Sequence, residues 1–287
     1  MEIGIGLPNT VPGTDGRTLV EWARRADEAQ FSTLGTIGRL VYPGYDDLIA
    51  LAAAAAVTER IRLTTAIVIA PLHTNAALLA KQAASIDRLS GGRLVLGVGL
   101  GARDDDYEAA GLGTKARGRR LDEQLEELKR VWSGEERGHA GAIGPEPARQ
   151  GGPELIVGGH GEASFRRAAR FGEGWIMGGG PADQFAALVP ALERAWEEAG
   201  RSGKPRKLSL AYFALGGSAR EDADSYLKHY YAWLGAFADQ IAAGAAVGEE
   251  AVRETVAAFE AAGCDELILV PTSSKLEQVG LLADVVH

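Results

Sequence analysis

The chain has 287 residues, a formal net charge of −9 and one cysteine. An acidic chain with no basic stripe excludes the nucleic-acid binders; its best basic cluster, Lys204, Arg206 and Lys207, reads as a short solvated loop before a strand. The lone Cys264 excludes an intrachain disulfide and reads as a small core residue.

The N-terminal "MEIGIGLP" reads as a strand, not as a targeting segment. The strand covers residues 2–8, and a helix over about 17–30 follows, with Leu19, Trp22, Ala23 and Ala26 on one face. A weaker second strand covers about 32–37. The helix at 46–58 opens on Asp46 and Asp47 as caps. Its alanine-rich run "LIALAAAAAV" is ten residues, too short to span a bilayer. A cytoplasmic protein with no membrane partner is the expectation.

"RIRLTTAIVIAP" is the third strand, and "NAALLAKQAASIDRLSGG" a helix with a glycine stop. "RLVLGVG" is the fourth strand, followed by a helix over about 118–133 and a Gly/Pro-rich insertion over 134–153. "ELIVGG", a helix at 162–171 and "EGWIMGG" follow, and Pro181 starts the next helix at N1. "KLSLAYFALGG" is the seventh strand, helices fill 219–262, "DELILVP" is the eighth strand, and a helix at 275–286 closes the chain.

Eight apolar strands, each followed by a helix, predict an α/β fold: a (β/α)₈ TIM barrel, one domain over 1–287 with insertions near 134–152 and 219–248. An open doubly wound sheet is the rival.

The segment "LVLGVGLGARDDDY" tests that rival. Gly97, Gly99 and Ala102 satisfy the relaxed dinucleotide fingerprint G-x-G-x-x-G/A. In a dinucleotide fold, however, that turn belongs to the first βα unit, and an acid ends the next strand. Here the glycines follow the fourth strand, and Asp104, Asp105 and Asp106 would repel a pyrophosphate. The glycines fit better as a place where a flat ligand approaches the backbone at a barrel mouth. The aspartate triplet reads as an exposed acidic loop rather than a magnesium site.

No G-x-S-x-G elbow is present, and the five histidines (73, 139, 160, 229 and 287) lack metal-ligand spacing. What remains are glycine turns before helices: Gly158, Gly159 and Gly161 after the fifth strand, and Gly178 and Gly179 after the sixth. Free N–H groups at a helix start make a phosphate site; the plainer alternative is two tight βα turns.

Three segments carry a resemblance. "RLTTAIVIAPLHTNAALLAKQAASIDRLSGGRLVLGVGLG", "PELIVGGHGEASFRRAARFGEGWIMGG" and "AGCDELILVPTSSKLEQVGLLAD" resemble the bacterial luciferase-like flavin-dependent oxidoreductases. The resemblance implies a barrel that binds FMN or the deazaflavin coenzyme F420 at the strand C-termini. It implies a non-prolyl cis peptide at Ala66–Ile67 supporting one face of the ring, with Gly97, Gly99 and Leu100 beside the ring. It assigns the phosphate to Gly158, Gly159, Gly178 and Gly179. With FMN the implied reaction is monooxygenation, fed by a separate reductase; with F420 it is hydride transfer to or from a small-molecule substrate.

The sequence departs from the family in two places. Arg39 stands where many members carry a histidine at the end of the second strand, and arginine cannot act as a base. It can stabilise an anion. Ala102 stands where members that oxidise a sugar phosphate tend to carry an acid. His73, after the third strand, is a second candidate for contact with ring or substrate, or else a helix cap.

Among other mouth residues, Asn9, Thr10 and Asn75 either line the pocket or satisfy backbone groups. Trp175 reads as barrel packing, and Tyr212 and Phe213 cannot both face inward. Tyr226, Tyr230 and Trp233 form either a core stripe or a lid. A flavin-binding barrel without activity is one alternative, and a phosphate-binding lyase or isomerase is another. Many barrels of this family pair, so the resemblance implies a homodimer, and the helix at 46–58 either serves as an interface or packs into the core.

Overall fold

Runs such as "RLVLGVG" and "DELILVP" are apolar on both faces, so a sheet built from them must be covered outside and filled inside. The computed structural model describes residues 1–287 and meets that demand by closing the sheet on itself. Eight parallel strands form the wall: β1 (Glu2–Gly6), β2 (Thr33–Thr36), β3 (Arg62–Thr65), β5 (Leu94–Gly99), β6 (Glu154–Gly158), β7 (Gly174–Met177), β8 (Arg206–Ala214) and β10 (Glu266–Pro271). Two short strands, β4 (Val68–Ile69) and β9 (Ala246–Val247), pair onto β5 and β8. The wall strands neighbour one another in chain order, and β10 pairs with both β1 and β8. The result is the expected (β/α)₈ barrel.

The helices α1 (Gly16–Glu28), α2 (Asp47–Ala55), α3 (Ala76–Leu89), α5 (Arg117–Trp132), α6 (Glu162–Phe171), α7 (Ala182–Glu198), α10 (Glu249–Ala261) and α11 (Glu277–Val286) ring the wall. The short α4 (Asp104–Ala109) follows β5, and the 219–248 insertion contributes α8 (Ala219–Tyr230) and α9 (Phe237–Ala243).

Alternation along each strand sorts two cores. Leu96, Val98, Leu155, Val157, Trp175, Phe213 and Leu267 point outward into the layer between wall and helices. Val95, Ile156, Ile176, Leu208, Leu210 and Ile268 point inward and fill the barrel. At the N-terminal rim, the fully buried Glu266 accepts from Ser32 Oγ at 2.5 Å and from Arg62 Nη2 at 2.9 Å, and it also pairs with Arg206. This closed end is a stability feature, as expected for that face of a barrel.

Four local expectations change. The Arg206 end of the basic cluster is not a solvated loop: it begins β8 and donates to Glu154 at 2.6 Å. Pro181 is the N-cap of α7, one residue before its first turn, a shift that arises because its backbone is still extended. Asp46 caps α2 through Ile49 N, but Asp47 is a buried first-turn residue. The aspartate triplet is the first turn of α4 rather than an exposed loop, and Asp106 within it is buried.

Candidate active site

The inward positions change character as three neighbouring strands rise toward their C-terminal ends. Val95 is followed two residues on by Gly97 and then Gly99, Ile156 by Gly158, and Ile176 by Gly178. The barrel is therefore packed at mid-height and emptied of side chains at its mouth. Ile67 exploits the space. It follows a cis peptide bond from Ala66, the bond that the resemblance implies. A Cβ on Gly99 would lie 3.0 Å from Ile67 Cδ1, and one on Gly158 would lie 3.0 Å from Ile67 Cγ2. A Cβ on Gly97 would collide with the Thr65 carbonyl at 2.0 Å.

Above this floor lies a cavity of about 490 Å³, within the usual range for a small-molecule site. Arg39, Ala66, Ile67, Gly99, Leu100, Gly158, Gly159 and Gly178 all line it, so most of the expected site residues meet around one cavity. Gly97 lies below it as a spacer. Gly179 turns instead toward a second cavity. His73 is on neither wall. It ends a single 3₁₀ turn, burial pushes its imidazole pKa down, and its carbonyl accepts from Gln124 Nε2 at 2.6 Å.

The β6–α6 side presents the start of a helix to the cavity. Helix α6 starts at Glu162 with no side chain capping its first turn, and Gly161, Ala163 and Ser164 line the cavity, so the positive dipole end lies beside it. Ser164 and Arg167 line the same corner, and Arg167 is held by Asp122 through Nε at 2.5 Å. The turn is fixed from behind: Trp175 Nε1 donates to the Gly159 carbonyl at 2.6 Å while the ring stacks on Phe185. Trp175 is thus barrel packing, as its sequence suggests, and also a brace for the turn.

The opposite side carries paired charges. Arg39 is almost fully buried, and its Nη2 lies 2.9 Å from Asp106 Oδ2. The angle of approach leaves Arg39 Nε, Arg39 Nη2 and Asp106 Oδ2 without a hydrogen bond. Asp106 Oδ1 accepts from Leu40 N and Val41 N at 3.1 and 2.7 Å. It thereby clasps the loop after β2 to α4. Arg103 pairs with Asp105, holding that carboxyl below its usual pKa, and its guanidinium sits 5.7 Å over the Trp233 ring.

Aromatic groups roof the cavity. Tyr212 faces inward and Phe213 outward, as alternation requires. Tyr212 and Tyr231 share a hydrogen bond of 2.9 Å. Tyr230 is buried, with Arg39 5.6 Å over its ring, while Trp233 is 44% exposed. The stripe therefore divides: Tyr226 is core, bonded to Thr10 Oγ1 at 2.7 Å, and Tyr230 and Trp233 cover the cavity. Burial raises the Tyr212, Tyr226 and Tyr230 pKa values, so these hydroxyls stay protonated. Asn9 satisfies backbone groups of Ile37 and Tyr45, and Asn75 caps α3.

A profile of the family described as luciferase-like monooxygenase matches residues 1–267. The chain belongs to this family. Among relatives, an uncharacterized Mycobacterium tuberculosis protein is 34% identical over 62% of this chain and 64% of its own length. An FMNH2-dependent dimethylsulfone monooxygenase of Pseudomonas putida is 27% identical over 62% of this chain and 50% of its own. An F420-dependent glucose-6-phosphate dehydrogenase of Nocardia farcinica is 30% identical over 53% of this chain and 49% of its own. The match thus spans from about half to just under two thirds of these relatives' lengths.

Solved structures share the barrel, two of them as follows. An F420-dependent secondary alcohol dehydrogenase superposes with a TM-score of 0.85 at 16% identity, covering 99% of this chain and 98% of that one. The monooxygenase RslO1 of Streptomyces bottropensis gives 0.79 at 23% identity, covering 100% and 98%. At such identities the likeness shows the fold.

Asp47 lies directly beneath the loop that carries Arg39. Its Oδ2 would be 2.5 Å from a Cβ on Gly38 and has no hydrogen-bond partner. Burial, with Asp46 nearby, pushes its carboxyl up to about 7. The folded protein therefore holds this proton more tightly than the unfolded chain does. The resulting stability is full below the unfolded value near 4 and is lost as pH rises toward 7. Asp47→Asn is expected to remove this component from the pH dependence, gaining on the wild type as pH rises. Urea unfolding at pH 5 and pH 8 checks it; an unchanged difference between the two proteins contradicts the assignment.

Proposed function

We propose that this chain is an oxidoreductase that binds FMN or coenzyme F420 at the barrel mouth and uses it on a small organic substrate. The observation that carries the reading is the cavity itself: an apolar, side-chain-free slot over Ile67 opens directly onto an uncapped helix start. A flat ring with a phosphate-bearing tail matches both ends. The FMNH2-dependent and F420-dependent relatives support the same choice of cofactors.

In this reading Gly158, Gly159 and Ser164, with the first N–H groups of α6 and Arg167, take the phosphate. Ala66, Ile67, Gly99 and Leu100 hold the ring. When bound, the ring supplies the two-electron chemistry, and the protein supplies orientation and exclusion of water. Arg39 stays charged and stabilises negative charge on ring or substrate; it moves no proton. The Tyr212–Tyr231 hydroxyl pair lines the cavity; one O–H is engaged in their mutual hydrogen bond, which leaves one to donate to a ligand. With FMN the enzyme works with a separate reductase that supplies the reduced form. The reading assigns it to the cytoplasm, where a free buried thiol such as Cys264 is at home.

The reading includes a homodimer. Ile49 on α2 and Leu78 on α3 are 65% and 52% exposed, with Leu40, Val41 and Tyr45 also exposed on the loop before α2. A homodimer would bury such surface in an isologous contact. Sedimentation velocity is expected to show a dimer, and Ile49→Asp to shift it at least tenfold in concentration toward monomer. A wild-type monomer at all concentrations removes this part of the reading.

Titration of the protein with FMN and, separately, with F420 tests the main claim. Micromolar binding of one cofactor is expected, and it names the reaction class: oxygen chemistry for FMN, hydride transfer for F420. Binding of neither contradicts the assignment.

A further inference from the structure

A second cavity of about 750 Å³ adjoins the first. It lies between the β7–α7 turn, β8 and the insertion helix α9, with α10 closing the far side. The two cavities share Gly178, Leu210, Tyr212 and Tyr231 as lining residues. These four residues form the boundary where the cavities meet, and within it the Tyr212 and Tyr231 hydroxyls are joined by one 2.9 Å hydrogen bond.

The lining of the second cavity is small or apolar. Pro181, Ala211, Phe237, Ile241, Ala258 and Phe259 all contribute. Phe237 is 54% exposed, a costly place for a phenyl ring that nothing covers. Gln184, Gln240 and Thr255 add neutral hydrogen-bonding groups, and Glu254 at the edge is the one charged lining residue. The space is an open cleft beside the mouth, with Phe237, Gln240 and Ala258 on its exposed side, and the insertion helix α9 forms much of its wall.

We propose that the second cavity is the substrate chamber, and that it takes a neutral, largely apolar organic molecule whose reacting hydroxyl or carbonyl end points at the tyrosine pair. This rests on the cofactor assignment above. At about 490 Å³ the first cavity has the volume of a site for one ligand of cofactor size. With ring and phosphate tail in place, a reaction partner needs separate room that opens on the same wall. The second cavity supplies it. The single charged group at its rim selects against anionic substrates, and the apolar walls reward carbon skeletons by the area they bury. The Tyr212 and Tyr231 hydroxyls stand where a polar end would meet the ring.

Isothermal titration calorimetry with 4-hydroxybiphenyl tests the chamber without knowledge of the natural substrate. It is run on the cofactor-free protein and on protein saturated with FMN or F420, for the wild type and for Ala258→Trp and Gln240→Trp. Both positions are exposed on their helices and line the cavity, so each indole fills the chamber without disturbing the core. The wild type is expected to bind the probe whether or not cofactor is present. Each variant is expected to bind it at least tenfold more weakly while its cofactor affinity stays within twofold of wild type. Three results overturn the proposal: no probe binding to wild type, probe binding abolished by saturating cofactor, or probe affinity unchanged in both variants. Failure of both cofactors to bind would overturn the cofactor assignment alone, because the cofactor-free titrations still decide the chamber.

Discussion

The site depends on a steric exchange between Ile67 and the glycines of the two strands beyond it. The Ile67 side chain turns into the barrel mouth and lies against positions 99 and 158, where any β-carbon would press on it at 3.0 Å. A few tenths of an ångström is all that separates such contacts from ordinary packing. The glycines thus do two things at once. They admit a branched side chain as a flat apolar floor, and they leave the space above that floor free of their own side chains. The rest of the site is arranged around the result: the uncapped start of α6 at one end, the Arg39–Asp106 pair at the other, and the tyrosine roof above.

The charges at the mouth act mainly as architecture. Arg39 and Asp106 are both buried, and such a pair is retained only where geometry and further hydrogen bonds offset desolvation. Asp106 gains those bonds from Leu40 and Val41, whereas the Arg39 guanidinium keeps unpartnered atoms in the cavity wall. The pair therefore fixes the β2 loop to α4 and sets a permanent cation in the cavity wall. A histidine at the same position would titrate near neutral pH; arginine gives a charge that does not change.

Much of the fold was legible because barrel strands declare themselves. Each of the eight apolar runs became a wall strand, and alternation put Tyr212 and Phe213 on opposite faces, though only the fold shows that Tyr212 is the inward one. The glycine turns were legible as βα turns, and the fold adds that Gly158, Gly159 and Gly178 line one cavity. Long-range pairing was not legible. Asp106 looked like part of a solvated acidic run, because nothing local announces that Arg39, far earlier in the chain, lies against it. Arg206 and Glu266 found each other across the barrel floor in the same way. The roof was half legible: helical spacing put Tyr226, Tyr230 and Trp233 on a stripe, but only the packed insertion shows which of them reach the cavity. His73 shows the opposite failure, since its place after the third strand suggested the mouth, and the 3₁₀ turn carries it away.

A double-mutant cycle on cofactor affinity tests the central claim most directly, with Gly158→Ala and Ile67→Ala made singly and together. Whichever of FMN or F420 binds serves as the probe. If the glycine row exists to make room for Ile67, Gly158→Ala weakens binding by about tenfold, roughly 1.4 kcal/mol, because Ile67 is driven up into the ring site. Removing Ile67 in the same chain then restores most of that loss, and the two changes couple by about 1 kcal/mol. Strictly additive losses, with no rescue, would show that Gly158 serves the ligand without reference to Ile67 and would contradict the account.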